Sequence, residues 1–331
     1  MENKKETVCA VVVTYNRKKL LLECLEALLK QTRPVQGVYL IDNASTDGTP
    51  ELLLEKGYIK KLPPENLTEP WEKEFEIKNL IDGQVVKLHY VRMHENTGGA
   101  GGFHEGVKRA YEKGYDWLWL MDDDGLSAEN TLYSLLDTAR KTKIFYVGPL
   151  IICKDNREWL FAPFNDMKVE DFFKKFGDNV LIKGKLPTFN GSVVHRKVVK
   201  EIGCPDKDLF IWGDEDDYRA RTLRAGFEVA VTTSAIYYHP QLFKWKKGKL
   251  LWKTFKYEVT SIWKSYYQIR NHTYLTIYKG QRYNFLKDFL KNIVIDIFYR
   301  KEKKLIAIKY HIKALFDGIF KRMGRRMDFV V

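Results

Sequence analysis

Asp122, Asp123 and Asp124 follow directly on the apolar run Leu118-Trp119-Leu120-Met121. Three adjacent carboxylates repel one another at neutral pH, and a cation relieves that repulsion. In an extended chain Asp122 and Asp124 project to the same side. Hard oxygen ligands at that spacing suit Mg²⁺ or Mn²⁺, a solvated acidic turn being the plainer alternative. A second acidic run, Asp214-Glu215-Asp216-Asp217, stands between Trp212-Gly213 and a helical stretch over about 218–225. Acids favour a helix N-terminus through the dipole, yet four in succession exceed what a cap needs. Trp212 beside them is either a platform for a sugar ring or a buried aromatic. His239 ends the strand-like Ile236-Tyr237-Tyr238, and Asp42 ends another strand, where it either accepts hydrogen bonds from a nucleoside or caps its turn. The loop Asn96-Thr97-Gly98-Gly99-Ala100-Gly101-Gly102 could bring backbone N–H groups close to phosphate or sugar, since glycine removes the Cβ obstacle. It fails the dinucleotide fingerprint, with His104 at the third position, and no Gly-Lys-Ser/Thr follows it. Both failures weigh against a dehydrogenase or an ATPase.

Positioning these groups falls to alternating strands and helices. Residues 8–15 are β-branched and apolar, a buried strand. Lys18–Gln31 repeats leucine at helical spacing, Gly37–Ile41 is a second strand, and Thr49-Pro50 opens a helix. Residues 88–93 form a third strand, followed by the glycine loop and a helix to about Lys113. The run before Asp122 is the fourth strand. Such alternation predicts a parallel sheet with helices on both faces and the acids at the carboxyl ends of strands, where open α/β sheets bind ligands. Phe145–Cys153 and Val193-Val194 read as further strands. Residues 60–86 look like an insertion and, like 154–186, carry no legible motif.

A chain of 331 residues with 45% hydrophobic content is a folded globular protein. Cys9, Cys24, Cys153 and Cys204 have no metal-ligand spacing and read as reduced thiols of a cytosolic protein. The charged stretch Met1–Thr7 is not a signal peptide, and no apolar run is long enough to span a bilayer. Of the net charge of +13, residues 240–331 contribute +16, from 22 Lys and Arg against 6 Asp and Glu, leaving −3 for residues 1–239. Residues 244–256 hold six lysines among Trp245, Trp252 and Phe255, and apolar residues recur at helical spacing over 283–298 and 305–320. Basic amphipathic helices of this kind suit an anionic membrane surface. Nucleic acid is the rival anion, but no recognition motif accompanies the charge.

Taken together, Val11-Val12-Val13-Thr14-Tyr15-Asn16-Arg17, Ile41-Asp42-Asn43-Ala44-Ser45-Thr46-Asp47, Glu95–Phe103, Trp117–Asp124 and the 214–217 acids resemble the family 2 GT-A glycosyltransferases. Within that class the bacterial galactofuranosyltransferases look nearest, and rhamnosyltransferases using a dTDP-sugar share much of the pattern. The resemblance covers about residues 8–240. It implies a GT-A (Rossmann-like) mixed sheet flanked by helices over 1–240, with a nucleotide-binding half at 1–125 and an acceptor half at 126–240. Residues 241–331 would be a basic helical extension.

The resemblance also implies an inverting, Mn²⁺- or Mg²⁺-dependent transfer of galactofuranose from UDP-galactofuranose to a glycan hydroxyl, and the basic amphipathic tail fits an acceptor held on a lipid carrier at the cytoplasmic face of the cell membrane. By motif, Thr14, Asn16, Arg17, Asp42, Asn43, Asn96, Gly98, Gly99, Asp122 and Asp123 go to the nucleotide-sugar. Asp122, Asp124 and His239 go to the metal, and Trp212 and Asp214 to the acceptor. The base lies among Asp214, Glu215 and Asp216, with Glu215 where the family usually has aspartate. A sugar nucleotidyltransferase would carry a glycine-rich loop after the first strand, where this chain has Thr14-Tyr15-Asn16-Arg17-Lys18. An inactive glycan- or lipid-binding module has no need of both acidic clusters.

Overall fold

The structure, a computed structural model, describes residues 6–165, 167–185, 188–240, 246–250, 253–257 and 259–326. Trp245 and Trp252 of the lysine-rich stretch lie outside the described residues. The chain forms two compact units.

The larger unit comprises residues 1–97, 102–205 and 218–241. Its strands are β1 (Val8–Thr14), β2 (Gly37–Asp42), β3 (Trp71–Lys78), β4 (Val85–Arg92), β5 (Trp117–Asp122), β6 (Leu126–Ser127), β7 (Tyr146–Cys153), β8 (Leu181–Lys183), β9 (Ser192–His195) and β10 (Ala230–His239). Among the described residues these form one sheet in the order β3-β4-β2-β1-β5-β9-β7-β10-β6, with β8 pairing β10. β4, β2, β1 and β5 run parallel, as do β7 and β10. Because β9 is antiparallel to both β5 and β7, all six of those strands point the same way. The sheet is therefore mixed: β9 separates two parallel groups, and β3, β6 and β8 pair antiparallel with their neighbours.

β1 shows why an unbroken apolar run marks a central strand. Val8, Ala10 and Val12 pack with α1 (Lys18–Leu29), α2 (Thr49–Glu55) and α4 (Thr131–Thr142) on one face. Cys9, Val11 and Val13 pack with α3 (Gly98–Glu112) and α6 (Arg196–Ile202) on the other. Each such buried aliphatic side chain contributes roughly 1.5–3 kcal/mol.

Several boundaries differ from the sequence reading. The glycine run is not a loop, since α3 begins at Gly98. A Cβ on Gly102 would stand 2.5 Å from Val13, and one on Gly106 2.3 Å from Val11, so these glycines let the helix lie close on β1. The 60–86 insertion contains β3, whose alternating Glu72, Glu74 and Glu76 hid a strand that buries only Phe75 and Ile77. Residues 154–186 contain α5 (Val169–Phe176) and β8.

The smaller unit comprises residues 98–101, 206–217 and 242–331. It holds the hairpin β11 (Lys246–Leu250) and β12 (Lys253–Tyr257), then α8 (Ile262–Lys279), α9 (Phe285–Phe298) and α10 (Lys304–Ile319). Helix α8 escaped the sequence reading because Arg270, Asn271 and Thr273 interrupt its apolar pattern, although all three are buried. The apolar residues of α9 divide: Phe289 and Ile295 pack inward, whereas Leu286, Leu290, Ile297 and Phe298 are exposed. On α10, Leu305, Ile306, Ile312 and Phe316 are exposed. A buried polar chain ties the three helices: Ser265 Oγ lies 2.8 Å from His311 Nε2, and His311 Nδ1 lies 2.8 Å from Asp296 Oδ2. Arg300 donates to Asp296 at 2.7 Å. The order Ser-His-Asp is that of a nucleophile triad, but 0% exposure of all three closes it to any substrate. Among the described residues no helix is long and apolar enough to cross a membrane.

Candidate active site

Parallel strands deliver the first group of residues to one edge of the sheet. β1, β2 and β5 end at Thr14, Asp42 and Asp122, with Thr14 opposite Asp42 and Val13 opposite Asp122. β10 runs the same way and ends at His239. One ligand atom each from Asp122, Asp124 and His239 lie within 4.8 Å of one another. Asp124 and His239 are buried and Asp122 is half-buried. His239 Nδ1–H donates to the Pro240 carbonyl at 2.8 Å, which turns Nε2 toward Asp124 Oδ1 at 3.1 Å. The Phe161 ring lies against the imidazole, centroids 4.4 Å apart.

The electrostatics show unbalanced negative charge. Burial, and then the charge of Asp124, push Asp122 up to about 8. Burial also pushes Asp123 up to about 6, against the pull of Arg17 and the Thr14 hydroxyl. Burial would raise Asp124 too, but the hydrogen bond and charge of His239, with Arg17, hold it below the ordinary carboxylate range. The same pairing raises His239 although burial opposes it. Two carboxylates and an imidazole converging in a buried cluster fit a divalent cation: the oxygens suit Mg²⁺ or Mn²⁺, and an imidazole whose other nitrogen is already bonded is fixed in the ligating tautomer.

The remaining residues assigned to the nucleotide-sugar knit the surrounding turns together. Thr14 Oγ1 donates to Asp123 at 2.6 Å, and Arg17 Nη1 reaches Asp123 at 3.0 Å and also contacts Asp124. Asn16 accepts from the Thr46 N–H at 2.6 Å. Asn43 accepts from the Thr97 N–H at 3.0 Å and donates to Asn96 at 3.2 Å. Asp42 is 0% exposed. Its carboxylate accepts from Tyr90 Oη and Arg92 at 2.7 Å and from the Ser45 N–H at 2.9 Å. These bonds hold the turn that ends β2.

The second acidic cluster belongs to the smaller unit, and here the structure corrects the sequence reading. The acids do not precede the helix: α7 (Asp214–Arg224) starts at Asp214, so they are its first turn. Gly213, at φ 91°, permits the entry, and a Cβ there would meet Leu275 at 3.0 Å. Asp214 and Asp217 are buried, Glu215 and Asp216 half-buried, and Trp212 is half-buried beside them. Burial, then the charge of Asp214 and a hydrogen bond with it, raise Glu215 well above its ordinary range. Tyr283 Oη donates to Asp216 at 2.8 Å and Gln281 to Asp217 at 3.3 Å. These two, with Arg270 and Asn271, were absent from the sequence reading. The only signal available was polar residues inside the α8 pattern and just beyond it.

Residues 9–64 and 74–203, more than half of the chain, match Glycosyl transferase family 2, and the chain belongs to that family. It is a glycosyltransferase, and the mixed sheet flanked by helices is the GT-A fold. Its sequence is similar to that of galactofuranosyltransferase GlfT1 of Mycolicibacterium smegmatis, 30% identical over 337 residues, 98% of each chain. Its fold is similar to that of S. aureus TarS in complex with UDP-GlcNAc, with TM-score 0.57 at 15% identity over 95% of this chain and 80% of that one. It is also similar to GalNAc-T7 with UDP, GalNAc and Mn²⁺, with TM-score 0.55 at 14% identity over 97% and 57% of the two chains.

Proposed function

We propose that this enzyme transfers galactofuranose from UDP-galactofuranose to a hydroxyl of a lipid-linked glycan, with inversion, at the cytoplasmic face of the cell membrane. The observation that carries the reading is the Asp122–Asp124–His239 cluster at the carboxyl edge of parallel strands, in a chain similar end to end to a galactofuranosyltransferase. A structure of similar fold binds a UDP-sugar and another binds UDP with Mn²⁺. Asp122, Asp124 and His239 would hold Mn²⁺ or Mg²⁺, which when bound neutralises the departing diphosphate. Thr14, Arg17 and Asp42 brace the acids and their turn, and Asn16, Asn43, Asn96, Gly98 and Gly99 belong to the nucleotide-sugar side.

In the transfer, the acceptor oxygen forms a bond to the anomeric carbon as the bond from that carbon to the diphosphate breaks. UDP leaves with the electron pair, and the acceptor proton passes to a carboxylate. Glu215 takes that role, with Asp214 as its neighbour and Trp212 against the acceptor sugar. Its raised pKa makes it a stronger base than an ordinary carboxylate and poises it nearer working pH. Turnover should therefore rise with pH as Glu215 loses its proton. The exposed apolar residues of α9 and α10, with the surrounding lysines, suit the anionic leaflet that presents a lipid-linked acceptor.

The test measures UDP release from UDP-galactofuranose with alkyl glycoside acceptors, against UDP-galactopyranose and dTDP-rhamnose, with and without chelator. Selective, chelator-sensitive turnover of UDP-galactofuranose is expected. Preference for dTDP-rhamnose, or conversion of UDP-galactofuranose and added pyrophosphate to UTP and galactofuranose 1-phosphate in place of transfer, refutes the assignment. General bases contribute about 10²–10⁴-fold, so Glu215→Gln should lose about that much turnover with unchanged UDP affinity. If Asp214→Asn or Asp216→Asn loses it instead, the base is that neighbour.

A further inference from the structure

The segment leading into α7 follows a path that apolar patterning does not explain. Phe210 has φ 65° and ψ −62°, and the Ile211 N–H donates to the Leu209 carbonyl at 2.8 Å. That is a γ-turn of the rare hand, which side chains disfavour. Trp212, at φ 67°, adds a second non-glycine residue in the left-handed region. Backbone held this way persists only where its surroundings over-determine it, and such sites cluster where function needs them.

Helix α8 supplies the surroundings. Asn271 Nδ2 donates to the carbonyls of Leu209 and Ile211 at 2.9 Å and of Trp212 at 2.7 Å. Arg270 Nη2 donates to Leu209 at 2.9 Å and to Asp208 at 3.3 Å, while Nη1 donates to Gly324 at 2.6 Å. Arg270 Nε donates to the Asn271 side-chain oxygen at 2.9 Å, which fixes the amide with its NH₂ group toward the turn. Both side chains are fully buried. Apolar residues suffice to pack a helix against a loop. A buried amide directed at three carbonyls of one turn, and locked by a buried guanidinium, defines the conformation of that turn.

We propose that Asn271, oriented by Arg270, is a positioning residue for catalysis: it holds the 209–213 turn in the strained form that aims Asp214 and Glu215. Tyr283, through its bond to Asp216, steadies the first turn of α7 that follows. The proposal rests on Glu215 being the base.

The test makes Asn271→Ala and Glu215→Gln singly and together in the full chain. It follows turnover of UDP-galactofuranose onto an alkyl glycoside, UDP affinity by calorimetry, and melting temperature. Asn271→Ala should lower kcat by about tenfold or more while UDP affinity stays within about twofold. The double variant should be no slower than Glu215→Gln alone, because an absent base cannot be misplaced. Near-normal turnover of folded Asn271→Ala, or additive losses in the double variant, overturns the proposal. Normal turnover of Glu215→Gln removes the base assignment and the proposal with it, and that failure is visible in the single variant. If Asn271→Ala does not fold, Tyr283→Phe replaces it in the same cycle, removing only the hydroxyl on Asp216. Turnover lost non-additively at an unchanged melting temperature then supports the proposal, and normal turnover overturns it.

Discussion

Binding Mn²⁺ should expel protons from this enzyme, and the number is set by the acids at the end of β5. Asp122 is pushed up to about 8, first by burial and then by Asp124. At pH 7 it therefore holds about 0.9 of a proton, by the ordinary titration relation. His239 is raised as well. A cation accepts only ionised carboxylate and neutral imidazole, so binding at pH 7 should release between about one and two protons. Affinity should climb about tenfold for each pH unit between about 6 and 8 from Asp122 alone, and more steeply where His239 joins. The sign for stability is opposite in the metal-free enzyme. Asp122 keeps its proton when folded and loses it near 3.8 when unfolded, so stability declines as pH rises from about 4 to about 8. Mn²⁺ should reverse that decline. Calorimetry in two buffers of different ionisation enthalpy counts the protons, and thermal unfolding at pH 6 and pH 8 with and without Mn²⁺ reads the reversal. Affinity that is flat across this range with no proton release would refute the ligand set, as would an Asp122→Asn variant that binds like the parent.

Four further outcomes are expected. Gly98→Ala should lower stability by more than about 2 kcal/mol, since Gly98 sits at φ 72° and a Cβ would fall 2.0 Å from the Phe210 carbonyl oxygen. Gly99→Ala, with nothing within 4 Å, should be neutral or slightly stabilising in the same melt. Leu290→Asp with Phe298→Asp should abolish most binding to anionic vesicles without changing the melting temperature, because both side chains are more than half exposed. Salt should weaken the parent's binding, as screening reaches about 10 Å at 0.1 M; equal binding to neutral vesicles would sink the electrostatic part. His311→Leu should cost about 1–3 kcal/mol by chemical denaturation, the usual penalty for leaving buried partners unpaired, with UDP affinity unchanged.

What the sequence revealed and what it hid follow from the kinds of contact involved. β1, β2 and β5 are buried on both faces, so their burial demands apolar residues at every position and the run itself marks the strand. The acids that end β5 stand out for the same reason: a carboxylate after Met121 has no place in that pattern unless something uses it. β3 buries only one face near its end, and its outward glutamates made it look like an insertion. Family resemblance identified His239, because a single histidine at a strand end has no pattern of its own. Its pairing with Asp124 depends on β10 running parallel to β7, a connection across the sheet that no local stretch records.

Helix α8 of the smaller unit stayed hidden for a deeper reason. Arg270 and Asn271 act on backbone carbonyls about 60 residues earlier in the chain, and a carbonyl has no side-chain identity to match. Polar residues inside α8 blur its apolar pattern, so only the lysines and the amphipathic stretches beyond it were legible, and these read as a membrane-surface extension. That reading also suggests cutting the chain at residue 283 as a clean probe of membrane binding, and the contacts argue against it. Removing residues 283–331 deletes Tyr283 from Asp216. It also deletes Gly324, whose N–H donates to the Asp208 carbonyl at 2.7 Å and whose carbonyl receives Arg270. Such a truncation would loosen the 208–213 segment and remove the exposed apolar residues of α9 and α10 together, so lost turnover could not be traced to either. Leu290 and Phe298 face solvent, whereas Asn271 bonds the 209–212 carbonyls and Tyr283 bonds Asp216. Substitutions at the first pair should change vesicle binding and leave turnover on a water-soluble acceptor intact, while those at the second pair should do the reverse. If both pairs changed both measurements alike, the separation of membrane binding from catalytic positioning in these helices would fail.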